Sequence, residues 1–205
     1  MKKLTTPIHR TGLCGLWIMN IFFLHKHPRR CARWHCDKHV VKMIVETCQL
    51  LYTCHWMVDT PDFHTAPFRI GTEVRGYKKT HWNHPCSKWV RQSLEHYLWL
   101  AQLGLELLRE YKHRFASMNK IHACTPHIEW LSQHPPALMS KGWIPPPMAM
   151  PDEYKTNDVS SAYKKYYLGE KREILHYTRR HVPHWQIGDR TGCKRPFIGT
   201  AGTID

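Results

Sequence analysis

From residue 29 to residue 56 the apolar positions recur with a helical period. On a helical wheel with His35 at the origin, Val40, Val41, Ile44, Val45, Cys48 and Leu51 fall between about 140° and 280°. Met43 and Leu50 widen that arc, which leaves His35, His39, Lys42, Glu46 and Gln49 within about 40° of the origin. So narrow a polar side predicts a mostly buried helix from Arg29 to Trp56 with one polar seam. A second long helix is predicted from Pro85 to Phe115, capped by Asn83 or His84, with Pro85 in its first turn. Its Leu94, Leu98, Ala101, Leu105 and Leu108 oppose a broad polar arc of Glu95, Gln102, Glu106, Arg109, Glu110 and His113, so it should be half exposed. Met19 to Leu24 reads as a short strand stopped by His25-Lys26-His27-Pro28. Shorter helices are expected over 118–133, 152–168 and 171–180, with Gly169 between the last two.

Residues 57–80 have the Pro and Gly content of a loop. Six prolines between 134 and 151 make that stretch a rigid, irregular connector. The predicted fold is therefore mainly α: one helical domain over 19–185, with a short N-terminal β-strand and a proline-rich connector. Residues 1–18 read as an N-terminal extension or tail, with Met19 a candidate start, and 186–205 as a C-terminal tail.

Composition narrows the function classes. The chain has 205 residues, with 30 basic and 16 acidic side chains, a formal charge of +14 and 17 histidines besides. Such a surface favours polyanions: nucleic acid or a phosphorylated nucleotide. The apolar runs fall short of the roughly 18 residues a membrane span needs, so no transmembrane segment is expected. Pro7, His9, Arg10 and Asn20 interrupt what would otherwise imitate a signal peptide. The expected address is the cytoplasm or nucleus of a host cell, and not the secreted space. The eight cysteines follow no compact disulfide spacing and read as reduced thiols.

Three clusters can carry chemistry. In the first, His35 and His39 lie four apart and could present two imidazoles to a divalent metal ion. Alternatively, His39 serves as general acid or base with Glu46 orienting it or taking the proton, and Lys42 holds phosphate or offsets developing negative charge. The bland alternative is a satisfied seam with Lys42 and Glu46 as an i,i+4 pair. No Cys-x2-Cys, zincin motif, nucleotide-binding glycine loop or nucleophile elbow is present. In the second cluster, His81, Asn83 and His84 stand at a helix entrance with Arg91 nearby, where a phosphate or a reacting carboxylate could dock. The third is the basic, aromatic C-terminal region, in which Lys155, Lys164, Lys165 and Arg172 are candidates for phosphate contact and tyrosines for base stacking.

The run Met19-Asn20-Ile21-Phe22, the segment from His35 to Met43 (His-Cys-Asp-Lys-His-Val-Val-Lys-Met), Thr80-His81 with Asn83-His84-Pro85, and Met150-Pro151-Asp152-Glu153 together resemble a family of tailed-phage and large-DNA-virus proteins. The resemblance spans about residues 19 to 185 and implies a viral setting and nucleic-acid metabolism. It also implies acidic residues in the turn after the first strand, where this chain has His25 and His27. The resulting expectation is a viral enzyme acting on nucleic acid or nucleotides by acid/base chemistry, with metal assistance as an option. His39, Lys42, Glu46, His81 and His84 would form its pocket, and the connector could bring Asp152 and Glu153 over it. The alternative is a noncatalytic basic nucleic-acid-binding protein.

Overall fold

The computed structural model describes residues 19–58, 63–115 and 121–187. The expected extension over 1–18, most of the expected C-terminal tail, and Cys14 and Cys193 lie outside them. Among the described residues there are six α-helices: α1 (Pro28–Trp34), α2 (Asp37–Val58), α3 (Pro85–Val90), α4 (Leu94–Phe115), α5 (Thr125–Gln133) and α6 (Val159–Glu170). Helix α4 packs against α1, α2, α3 and α5 and forms the centre. Its Leu100, Leu103 and Leu107 are buried, as are Ile44, Leu50 and Leu51 of α2. Among the described residues no helix is long and apolar enough to cross a membrane.

The mainly helical class holds, but the N-terminal strand does not form. Residues 19–24 are extended and buried, yet no strand lies beside them among the described residues. Their backbone groups are met piecemeal instead. The Asn20 N–H donates to Glu46 Oε2 at 2.9 Å, Cys31 Sγ donates to the Phe22 carbonyl, and Ser160 Oγ donates to the Leu24 carbonyl. A short apolar run buried among helices has the same sequence signature as a core strand.

Both long helices predicted from periodicity are broken. The first parts at His35, which is extended (φ −66°, ψ 137°) and ends α1. The break is held by a side chain distant in sequence. Arg114 donates from Nη1 to the His35 carbonyl at 2.8 Å and from Nη2 to the Arg33 carbonyl at 3.0 Å, capping the last turn of α1. The second parts at 91–93, where Leu94 N–H turns to the Met139 carbonyl and Ser93 bonds Glu95. Helix α5 begins only at Thr125, with Pro126 in its first turn. In place of helices over 152–168 and 171–180 there are 3-10 turns at Asp152–Tyr154 and Arg172–Ile174 flanking α6, which Asp158 caps by accepting from Ser161 N–H. Gly169 lies inside the last turn of α6, where a Cβ would stand 2.6 Å from the Tyr154 ring.

The exposed polar face predicted for α4 is also partly wrong, since Glu106 and Glu110 are buried. Glu110 lies between Arg114, at 3.2 Å, and Arg180, at 2.9 and 2.7 Å. Asp37 completes this cluster: it accepts from Arg114 Nη1 at 3.0 Å and from the Thr178 N–H and hydroxyl. The C-terminal segment is thereby fastened to the joint between α1 and α2.

Candidate active site

Helix α2 starts at Asp37, so His39, Lys42 and Glu46 keep the shared face that their spacing predicts, while His35 is lost from it. That face meets the extended segment 19–24, the entrance of α3, the proline-rich connector and α6 around a cavity of about 520 Å³. Asn20, Phe22, His39, Lys42 and His84 line it together with Met150, Lys155, Tyr166 and Lys171. Three lysines and no carboxylate are among the lining residues, so the cavity attracts anions.

Glu46 sits one hydrogen bond behind the wall, 7% exposed. Its Oε2 accepts from the Asn20 N–H at 2.9 Å, and its Oε1 lies 3.0 Å from Lys42 Nζ. Both partners are lining residues, so the carboxylate acts on the cavity across a single layer of atoms. The Asn20 side chain is tied at every polar atom. Its Oδ1 accepts from the Ile21 N–H at 2.7 Å and from the Tyr163 hydroxyl at 2.8 Å, and its Nδ2 donates to the Ala149 carbonyl at 2.9 Å. Tyr163 is also 2.8 Å from the Pro147 carbonyl, so the connector is bolted to this corner.

His39 is stacked on Phe22 with ring centres 4.3 Å apart, and its Nδ1 meets the Tyr167 hydroxyl at 2.5 Å. Burial, with help from His35, Lys42 and Lys171, pushes its pKa down to about 2. The imidazole is therefore neutral at working pH. If Tyr167 donates to Nδ1, the other ring nitrogen carries the proton. His35 is fully buried nearby: Nδ1 donates to the Cys31 carbonyl at 2.8 Å and Nε2 has no partner. Its pKa is lowered to about 4, chiefly by burial. The two rings lie 6.5 Å apart edge to face. No group of three or more His, Cys, Asp or Glu among the described residues could hold a metal ion.

These two histidines give the fold a pH dependence of definite sign. Unfolded, they titrate near 6.5; folded, they resist protonation until far lower pH. Below pH 6.5 the unfolded chain therefore takes up protons that the folded chain refuses. The stabilisation is complete above 6.5 and is lost as the pH falls through 6.5 towards 4. Chemical denaturation at pH 6.5 and 5.5 should differ by on the order of 2 kcal/mol, with the lower pH the less stable. Equal stabilities would show that these rings are not held neutral.

The remaining predicted site residues divide. His84 lines the cavity and caps α3, accepting from the Cys86 N–H at 3.2 Å; burial lowers its pKa. His81 and Asn83 are exposed and outside the lining, His81 in a left-handed turn (φ 46°). Arg91 braces the loop by donating to the Trp82 carbonyl at 2.7 Å. Of the C-terminal candidates Lys155 alone reaches the wall, paired with Asp152 at 2.6 Å; Asp152 itself stands in solvent. Lys164 lies over Trp34, Lys165 donates to the Glu153 carbonyl, and Arg172 is exposed on its 3-10 turn. His25 and His27 stack on each other outside the lining. Asn20 is a site residue that the sequence does not single out, whereas Tyr166 and Lys171 belong to the basic, aromatic C-terminal stretch expected to contact nucleic acid.

A family model described as pyrimidine dimer DNA glycosylase matches residues 19–125, just over half of the chain. The match takes in the extended segment, α1 to α4, Glu46 and the Asn20, His39, Lys42 and His84 side of the cavity. The wall from Met148 to Lys171 lies beyond it. No curated protein and no solved structure matches the chain.

Proposed function

Because the chain belongs to the pyrimidine dimer DNA glycosylase family, we propose that it cleaves the bond between deoxyribose C1′ and a damaged pyrimidine in DNA, at the cavity beside Glu46. The observation that carries this reading is the buried Glu46 carboxylate clamped between Asn20 N–H and Lys42 Nζ behind a cationic wall. Breaking a glycosidic bond puts positive charge on the sugar and negative charge on the departing base. A fixed carboxylate favours the first, and a lysine ammonium at the cavity surface favours the second.

The lining supplies what else the reaction needs. A target nucleotide must leave the helical stack to reach such a cavity, and Phe22, His39 and Tyr166 offer ring surfaces to receive it. Lys155 and Lys171 also line the cavity, where they would meet the flanking phosphates. The bond from C1′ to the pyrimidine N1 breaks, water oxygen bonds C1′, and the proton that the water loses ends on the departing base. Neutral His39 contributes a hydrogen bond rather than a transferable charge. In a cyclobutane dimer the released pyrimidine stays tethered to its neighbour, so the product is an abasic sugar within an unbroken strand.

The test is a labelled duplex with one thymine dimer, mixed with excess protein and then treated with hot alkali. Strand breakage at the dimer is expected, with an undamaged duplex left intact. Saturated binding with no alkali-labile product would overturn the glycosylase reading and favour a binding protein.

A further inference from the structure

The loop between α2 and α3 carries an ordered turn whose side chains the chemistry above does not use. Phe68 and Arg75 form an antiparallel bridge, and Arg69 N–H donates to the Val74 carbonyl at 3.0 Å. Thr72 closes the tip: its hydroxyl donates to the Arg69 carbonyl at 3.1 Å and accepts from Val74 N–H at 3.2 Å. Gly71 supplies the positive φ of 74° that the reversal requires. The base is braced where Gly76 (φ 62°) comes so close to the Tyr52 ring that a Cβ would stand 2.7 Å from it. This is a preformed projection.

It presents the wrong residues for a solvated loop. Ile70 at the tip is 76% exposed, with Phe68 at 49% and Val74 at 44% beside it. Basic residues surround them: from Phe68 to Lys79 the sequence holds Arg69, Arg75, Lys78 and Lys79 against the single acidic Glu73. The two arginines lie over rings, Arg75 above Phe68 at 3.9 Å and Arg69 5.9 Å from the Tyr77 centre. The exposed strip then continues through Lys79, 5.8 Å from the Trp82 ring, to His84 in the cavity wall.

We propose that this turn is a second DNA contact, in which Ile70 wedges into a base step of the duplex while Arg69, Arg75, Lys78 and Lys79 hold the phosphates on either side. An apolar tip with cationic flanks matches a duplex groove, where a branched side chain opens a stack and the backbone supplies the counter-charge. An anionic lipid surface would also accept such a tip, and duplex DNA is the occupant that the family assignment favours. The inference rests on the reading of DNA as substrate, and it adds unstacking of the duplex at a distance from the excised base.

The test uses the full chain and a short duplex carrying 2-aminopurine, whose fluorescence rises when its neighbours unstack. Wild type should bind and raise the fluorescence. Ile70→Ser, at an exposed site, should leave the melting temperature unchanged, abolish the rise and weaken duplex binding about tenfold, with the salt slope intact. Joint replacement of Lys78 and Lys79 by Ala should lower the slope of log K against log salt by about 2 while saturated complexes keep the rise. No rise with wild type, or an Ile70→Ser protein that binds and brightens like wild type, overturns the wedge. The fluorescence needs no turnover, so a protein that unstacks DNA without excising a base would refute the glycosylase reading and leave the wedge standing.

Discussion

Glu46→Gln should lower single-turnover excision by about 1,000-fold while duplex affinity stays within about threefold of wild type. The substitution is nearly isosteric. A glutamine oxygen can still accept the Asn20 N–H, so the corner between residue 20 and α2 stays built. What disappears is a full negative charge, 3.0 Å from Lys42 and beside a cavity lined by three lysines. With the carboxylate gone, the charged side chains left on the described lining are lysines, which oppose positive charge on a sugar. Ground-state binding through phosphates is untouched or slightly improved. The discriminating pair of measurements is therefore rate at saturation and affinity at fixed salt. Equal losses in both would assign Glu46 a structural role, and full activity would remove it from the chemistry altogether.

Arg114→Met should destabilise the protein by about 3–5 kcal/mol in urea denaturation, making it the most damaging single change outside the apolar core. The guanidinium is 1% exposed and serves the His35 and Arg33 carbonyls, Glu110 and Asp37 at once. Methionine fills the space but leaves two carbonyls at the end of α1 unmet and Asp37 short of a charge partner. Glu110 keeps Arg180. By contrast Arg180→Met, at a side chain 26% exposed, should cost about 1 kcal/mol, because Arg114 continues to hold Glu110. Were the two variants equally stable, the cluster would owe nothing to burial of Arg114.

The sequence made α2 legible because its wheel is a local property. The 100° period places His39, Lys42 and Glu46 together whatever surrounds them. The break at His35 was not legible, because the group that caps it is Arg114, 79 residues away. Asp37 and Glu110 were likewise hidden. A carboxylate on a predicted polar arc reads as solvated until an arginine from elsewhere in the chain buries it. The extended segment has the same cause, since its partners include side chains of α1, α2 and α6 rather than a neighbouring ladder. The cavity itself depends on long-range closure. Asn20 meets Ala149 and Tyr163 across 129 and 143 residues. Nothing in a stretch reading Met-Asn-Ile-Phe marks its asparagine as the corner of a site.

That asparagine has a consequence for how the protein can vary. One side chain ties the connector that lines the cavity, while its own backbone N–H grips the carboxylate behind that lining. Substitutions in the connector and at Glu46 are therefore not independent. A change at Pro147 or Ala149 that shifts Asn20 also tilts the hydrogen bond to Glu46, so paired variants should depart from the sum of their single effects. Divergence of substrate preference through the connector would have to proceed in step with α2, one compensated pair at a time.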